Sequence, residues 1–126
     1  MKLYQSENRD TVVEVVWGSN PDLTCNGAPM KELKAGTTDA ALEKHVPAVT
    51  VEGSQIIVQV GSVLHPMTPE HYITSIGVKA GNLALRRDLS PSDAPKAVFE
   101  LGDYHGPVAV YEYCNLHGLW KTDTTI

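Results

Sequence analysis

Thiols are scarce in this chain: among 126 residues only Cys25 and Cys114 carry one. The segment Met1 to Asp10 is polar and lacks the apolar core of a secretory signal. A lone bridge is not expected where thiols are kept reduced, which leaves Cys114 free to ligate a metal. Basic residues are also few, 10 Lys and Arg against 15 Asp and Glu, for a formal charge of -5. That balance excludes the basic face a nucleic-acid binder needs to replace counterions. No apolar run reaches the length that crosses a bilayer, so no membrane partner is expected and the cytoplasm is the expected address. The length suits about one domain with one core, and anything beyond it must be small.

What the chain does have is imidazole. Four of its five histidines, His45, His65, His71 and His117, fall in three short segments, the last beside Cys114. Several imidazoles with one thiolate form a transition-metal donor set. Structural zinc sites are four-coordinate and mostly sulfur, so five candidate donors with a single sulfur point to a redox-active metal of higher coordination, iron or copper.

From about residue 46 onward the sequence alternates short β-branched runs with turn residues. Val46 to Val51, Gln55 to Val60, Tyr72 to Val78, Leu83 to Leu89, Ala97 to Leu101 and Val108 to Tyr113 have the length and composition of strands. With no helix long enough for a crossover, they predict an all-β, antiparallel sandwich. Gly53-Ser54 and Gly81-Asn82 sit where hairpin turns belong, and Ser90 to Pro95 reads as a longer surface connection. One helical fragment is expected, Thr38 to Lys44, capped by Thr38 or Asp39 and stopped by Pro47, which delivers Glu43, Lys44 and His45 to one place. Residues 1–36 carry a strand candidate, Thr11 to Val16, and a turn at Trp17 to Asn20, but too few apolar residues for a core of their own. They read as a small β-rich appendage joined near Gly36 to Thr38.

His65-Pro66-Met67-Thr68-Pro69-Glu70-His71 places two imidazoles on a loop that its prolines keep out of regular helix. A stiff loop loses little entropy when a metal fixes its ligands. In Cys114-Asn115-Leu116-His117, a thiolate and an imidazole converge from one tight turn, and Trp120 lies close enough in sequence to shield the sulfur. Beside a metal with an open position, Glu43 is a candidate exchangeable ligand, and Lys44 a candidate to attract an anion or orient a proton-donating water. His105, between Tyr104 and Gly106, has no partner in sequence and reads as a surface residue.

Glu43-Lys44-His45-Val46-Pro47, His65-Pro66-Met67 through Glu70-His71-Tyr72-Ile73, and Glu112-Tyr113-Cys114-Asn115-Leu116-His117-Gly118-Leu119-Trp120-Lys121 follow one another in this order. In order and spacing they resemble the superoxide reductase family, which includes neelaredoxin and desulfoferrodoxin. The resemblance covers about residues 37 to 121. It implies an immunoglobulin-like antiparallel β-sandwich over residues 37–126, holding one mononuclear iron. The equatorial imidazoles would be His45, His65, His71 and His117, and the axial thiolate Cys114. Glu43 would occupy the sixth position in the resting oxidised state, and Lys44 would attract superoxide. It further implies one-electron reduction of superoxide to hydrogen peroxide, a rubredoxin-like external electron donor and a homodimer. Residues 1–36 resemble a desulforedoxin-like domain that binds a second iron through four cysteines, but in the alignable frame, Tyr4 to Met30, only Cys25 is left, so the second iron is expected to be absent. A superoxide dismutase-like activity, a copper or iron electron-transfer module, and a binding module with structural iron are the alternatives.

Overall fold

The computed structural model spans residues 1–126 and divides into two compact units, Met1–Lys34 and Ala35–Ile126. In the first unit, β1 (Leu3–Gln5) lies between β2 (Val12–Glu14) and β5 (Lys31–Glu32) in an antiparallel sheet. A separate hairpin joins β3 (Thr24–Cys25) to β4 (Ala28–Pro29). Its turn, Asn26-Gly27, has positive φ at both residues, 52° and 83°, which Asn and Gly tolerate best. Only Tyr4 and Ser6 are buried in this unit, so its apolar core is slight. The strand expected over Thr11 to Val16 covers only Val12–Glu14, because Val15 to Trp17 run past the end of the short β1 partner.

The second unit begins with α1 (Leu42–His45), followed by β6 (Pro47–Glu52), β7 (Gln55–Val60), β8 (Ile73–Ala80), β9 (Leu83–Asp88), β10 (Lys96–Glu100), β11 (Pro107–Cys114) and β12 (Gly118–Thr125). These strands form two antiparallel sheets, in the orders β10-β7-β6 and β12-β11-β8-β9. Alternation builds the core between them. Ile56, Val58 and Val60 of β7 and Ala97 and Phe99 of β10 bury one side, against Ile76, Val78 and Ala80 of β8 and Val108 and Val110 of β11. Each fully buried Val or Ile contributes roughly 1.5–3 kcal/mol by leaving water. The Thr122 hydroxyl donates to the Pro47 carbonyl at 2.7 Å, linking β12 to β6. The fold is thus the expected antiparallel all-β sandwich, and no helix is long and apolar enough to cross a membrane.

In the second unit, two elements differ from those expected from sequence. The helix expected from Thr38 is a single turn starting at Leu42, preceded by Ala41 with no side-chain cap, so neither Thr38 nor Asp39 caps it. A turn this short has too few hydrogen bonds for propensity to govern it; its ends are set by where His45 is held. The strand β12 is missing from the sequence reading because, after Leu119 and Trp120, it runs through polar, largely exposed residues along a sheet edge. Its eight residues nevertheless pair with β11 along the whole length.

Candidate metal centre

His45, His65, His71, Cys114 and His117, far apart in the chain, place one donor atom each within 4.8 Å of one another at one end of the sandwich. His45 ends α1, and after Val46 the chain enters β6 at Pro47. That turn rests on the Gly61 to Val63 loop, where Val63 N donates to the Glu43 carbonyl at 3.0 Å. Gly61 has φ +83°, and a Cβ there would press into the Val63 carbonyl, with Glu43 O at 2.7 Å and Lys44 Cα at 2.8 Å. A side chain cannot replace glycine at this contact. His65 and His71 flank the proline-rich loop before β8, which is closed by a two-way backbone pairing of Thr68 with His71.

Cys114 is the last residue of β11, where the pairing with β8 shifts register between Tyr113 and Cys114. Such irregularities re-aim side chains. Asn115-Leu116-His117 then forms a three-residue hairpin closed by Gly118, whose φ of +78° is the left-handed conformation such hairpins require.

The four imidazoles form a square. Going round it, His45, His65, His71 and His117 have neighbouring ring centroids 4.5–4.9 Å apart and rings 79–89° to one another. The opposite pair His45 and His71 is 6.2 Å apart and tilted by only 26°. The Cys114 sulfur is fully buried, 3.5 Å from His65 Nε2 and 3.9 Å from His117 Nδ1. Because His71 and His117 are only partly buried, the centre is open on their side and closed by the core on the other.

Hydrogen bonding assigns the tautomers. His45 Nδ1 lies 2.8 Å from Ala41 O and His65 Nδ1 lies 2.7 Å from Pro66 O. A carbonyl only accepts, so both Nδ1 atoms carry the proton and both Nε2 atoms present lone pairs. These lone pairs face each other at 3.2 Å, with His117 Nδ1 only 3.0 Å from His45 Nε2. His71 Nε2 is buried without any hydrogen-bond partner. Converging lone pairs repel unless a cation lies among them, and a single metal ion satisfies all of them. Protons are a poor substitute: burial holds the His65 imidazolium down to about 4, and burial likewise lowers His45 and His71. Four imidazoles with one thiolate exceed a tetrahedral zinc set and fit a mononuclear iron.

Glu43 and Lys44 are exposed on α1, and the converging group is formed by the other five residues. The Lys44 charge nonetheless depresses both His45 and His71, which stand on opposite sides of the square. His105 is exposed and outside the group. Trp120, expected from sequence near the sulfur, has its indole centroid 5.1 Å from that of the His45 ring, and its Nε1–H donates to His117 O at 3.0 Å.

Two residues near the centre escape the sequence reading. Asn115 binds backbone on both sides of His71. Glu112 is buried on the inward face of β11 with neither carboxylate oxygen partnered, and burial pushes its carboxyl well above the usual carboxylate range. Strand parity offered a signal for Glu112, since it shares the phase of Val108, Val110 and Cys114.

Comparison with known proteins agrees with this architecture. Residues 37–123 match the desulfoferrodoxin family model. The chain is 46% identical to a desulfoferrodoxin of Clostridium acetobutylicum over 125 residues, covering 98% of this chain and 96% of that one. It is 32% identical to a superoxide reductase of Thermococcus kodakarensis, over 67% of this chain and 88% of the other. The crystal structure of the superoxide reductase from Treponema pallidum superposes with a TM-score of 0.76 at 35% identity, covering 95% of this chain and 98% of that chain. The donor square, the sandwich that carries it, the family-model match and the near full-length similarity to the Clostridium acetobutylicum protein lead to one assignment: the chain belongs to the desulfoferrodoxin family.

Proposed function

We propose that this protein is a superoxide reductase, converting superoxide to hydrogen peroxide at one iron ligated by His45, His65, His71, His117 and Cys114. The observation that carries the reading is the square of imidazole nitrogens whose lone pairs converge beside a single buried sulfur. When bound, the iron supplies a one-electron couple and an open coordination position. Superoxide takes up one electron and two protons to become hydrogen peroxide, so each turnover consumes an electron. Cys25 and Cys114 cannot assemble a second thiolate-bound centre to store one, and an external donor of the rubredoxin type is required.

The chain's own residues divide the remaining work. Cys114, whose burial keeps water from its sulfur, would hold the ion and by electron donation would tune its potential. His45 and His65 are pre-aimed by their carbonyl partners, so little ordering is left for the metal to impose. Lys44 attracts the substrate anion. The chain as a whole is negative, and screening limits useful attraction to about 8 Å at physiological salt, so this local cation decides capture. The Lys44 ammonium is also suited to orient a water that hands on a proton. Glu43, beside it, would be an exchangeable ligand to the iron in the oxidised resting state. Residues 1–36 are read as a desulforedoxin-like module without its metal, since Cys25 is the sole thiol there.

The test is metal analysis, a visible spectrum and a superoxide pulse. One iron per chain, a broad thiolate charge-transfer band after oxidation, and conversion of the reduced protein to the oxidised form by a single pulse are expected. Regeneration of the reduced form without a donor would instead indicate a dismutase, and absence of any rapid oxidation would indicate a structural iron.

A further inference from the structure

The four imidazoles are not held in the same way. Ring hydrogen bonds to carbonyls aim His45 and His65, and a tight hairpin with Trp120 on its carbonyl holds His117. The His71 ring forms no hydrogen bond with the chain; its Nε2 is buried against the other donors without a partner. Metal-binding histidines ordinarily gain their aim from a partner on the second ring nitrogen. For His71 the aim must come from the backbone.

That backbone is gripped on both sides by one residue. Asn115 Nδ2 donates to the Glu70 carbonyl at 3.0 Å, and Tyr72 N donates to Asn115 Oδ1 at 2.9 Å. The Asn115 backbone N–H also donates to the Tyr72 carbonyl at 3.2 Å. Asn115 lies between Cys114 and His117, so the same side chain ties the loop carrying His71 to the turn carrying these two ligands. Both the donor and the acceptor of a carboxamide are used, a combination that neither a carboxylate nor a hydroxyl reproduces in that geometry.

We propose that Asn115 is a positioning residue that fixes His71 in the donor square before metal arrives. The proposal rests on the reading of the five residues as metal ligands. Asn115 touches none of the reacting atoms; it acts through His71, and removing it should loosen that corner alone.

The experiment is a double-mutant cycle with ferrous iron as the probe, added anaerobically to the metal-free full chain. Asn115→Ala should weaken iron binding by roughly 10–100-fold, the usual effect of deleting an outer partner of a metal ligand, and shift the charge-transfer band of the oxidised form. Asn115→Asp, which still accepts from Tyr72 N but cannot donate to Glu70 O, should lose less. In a His71→Ala background, Asn115→Ala should cause no further loss, because the ligand it serves is gone. Thermal unfolding of the metal-free variants separates loss of fold from loss of aim, and Asn115→Asp carries the cycle if Asn115→Ala does not fold. Wild-type affinity in Asn115→Ala, or an equal loss with and without His71, overturns the proposal. Failure of the wild-type chain to bind one iron with a thiolate band would instead overturn the reading of the site itself.

Discussion

Acidification of the metal-free protein should destabilise it through His65 before ordinary carboxylates begin to titrate. Burial holds this imidazolium down to about 4 in the fold, outweighing the hydrogen bond to Pro66 O, against 6.5 for a free histidine. Between those values the unfolded chain binds a proton that the folded chain refuses, so stability falls as pH falls. The linkage contributes about 2 kcal/mol of loss between about pH 7 and about pH 5, and about 3 kcal/mol once both states are protonated. His45 and His71, also lowered chiefly by burial, act in the same direction. Glu112 acts in the opposite one: its carboxyl is raised by burial, so the fold gains stability as pH falls toward the ordinary glutamate range. The quantity that isolates His65 is therefore the difference in pH slope between wild type and His65→Gln. Denaturant unfolding of the two metal-free chains across this interval measures it. A shallower slope in His65→Gln, by about the amounts above, is expected. Identical slopes would refute the claim that buried neutral His65 is what acid attacks.

Three substitutions address other parts of the argument. Cys114→Ser should abolish the thiolate charge-transfer band and reductase activity, followed by visible spectroscopy and superoxide consumption; retention of both would remove Cys114 from the metal. Lys44→Ala should slow the bimolecular reaction with superoxide and flatten its salt dependence at unchanged iron content, measured by pulse radiolysis. Gly61→Ala should destabilise the metal-free chain by about 1–3 kcal/mol, because the new Cβ meets the backbone of Glu43, Lys44 and Val63 at a positive φ. Its denaturant midpoint would stay at the wild-type value if that contact were loose.

The strands were legible wherever both faces of the pattern were informative. Gln55 to Val60 alternates buried residues with exposed or half-buried ones, and its structural bounds are those expected from sequence. The pattern failed at β12, where an edge strand exposes polar side chains and pairing with β11, which is non-local, decides the conformation. It also failed at α1, whose single turn is dictated by the delivery of His45 to Ala41 O and the metal square. Glu112 shows the same limit, since a glutamate reads as surface until the sheet places it inside.

The sequence by itself determined the donor chemistry. His45, His65, His71, His117 and Cys114, their order and their neighbours Glu43 and Lys44 are properties of the chain, as is the poverty in thiols that leaves Cys114 without a rival in the second unit. Only the tertiary structure decided which donors share a corner, which face is open and what aims each ring. Those depend on contacts between residues distant in the chain: the Gly61 loop under α1, the register shift before Cys114, and Asn115 reaching across to the backbone of Glu70 and Tyr72. Sequence specifies which atoms can bind a metal, whereas the angles at which they meet come from backbone hydrogen bonds that exist only once the sandwich has closed.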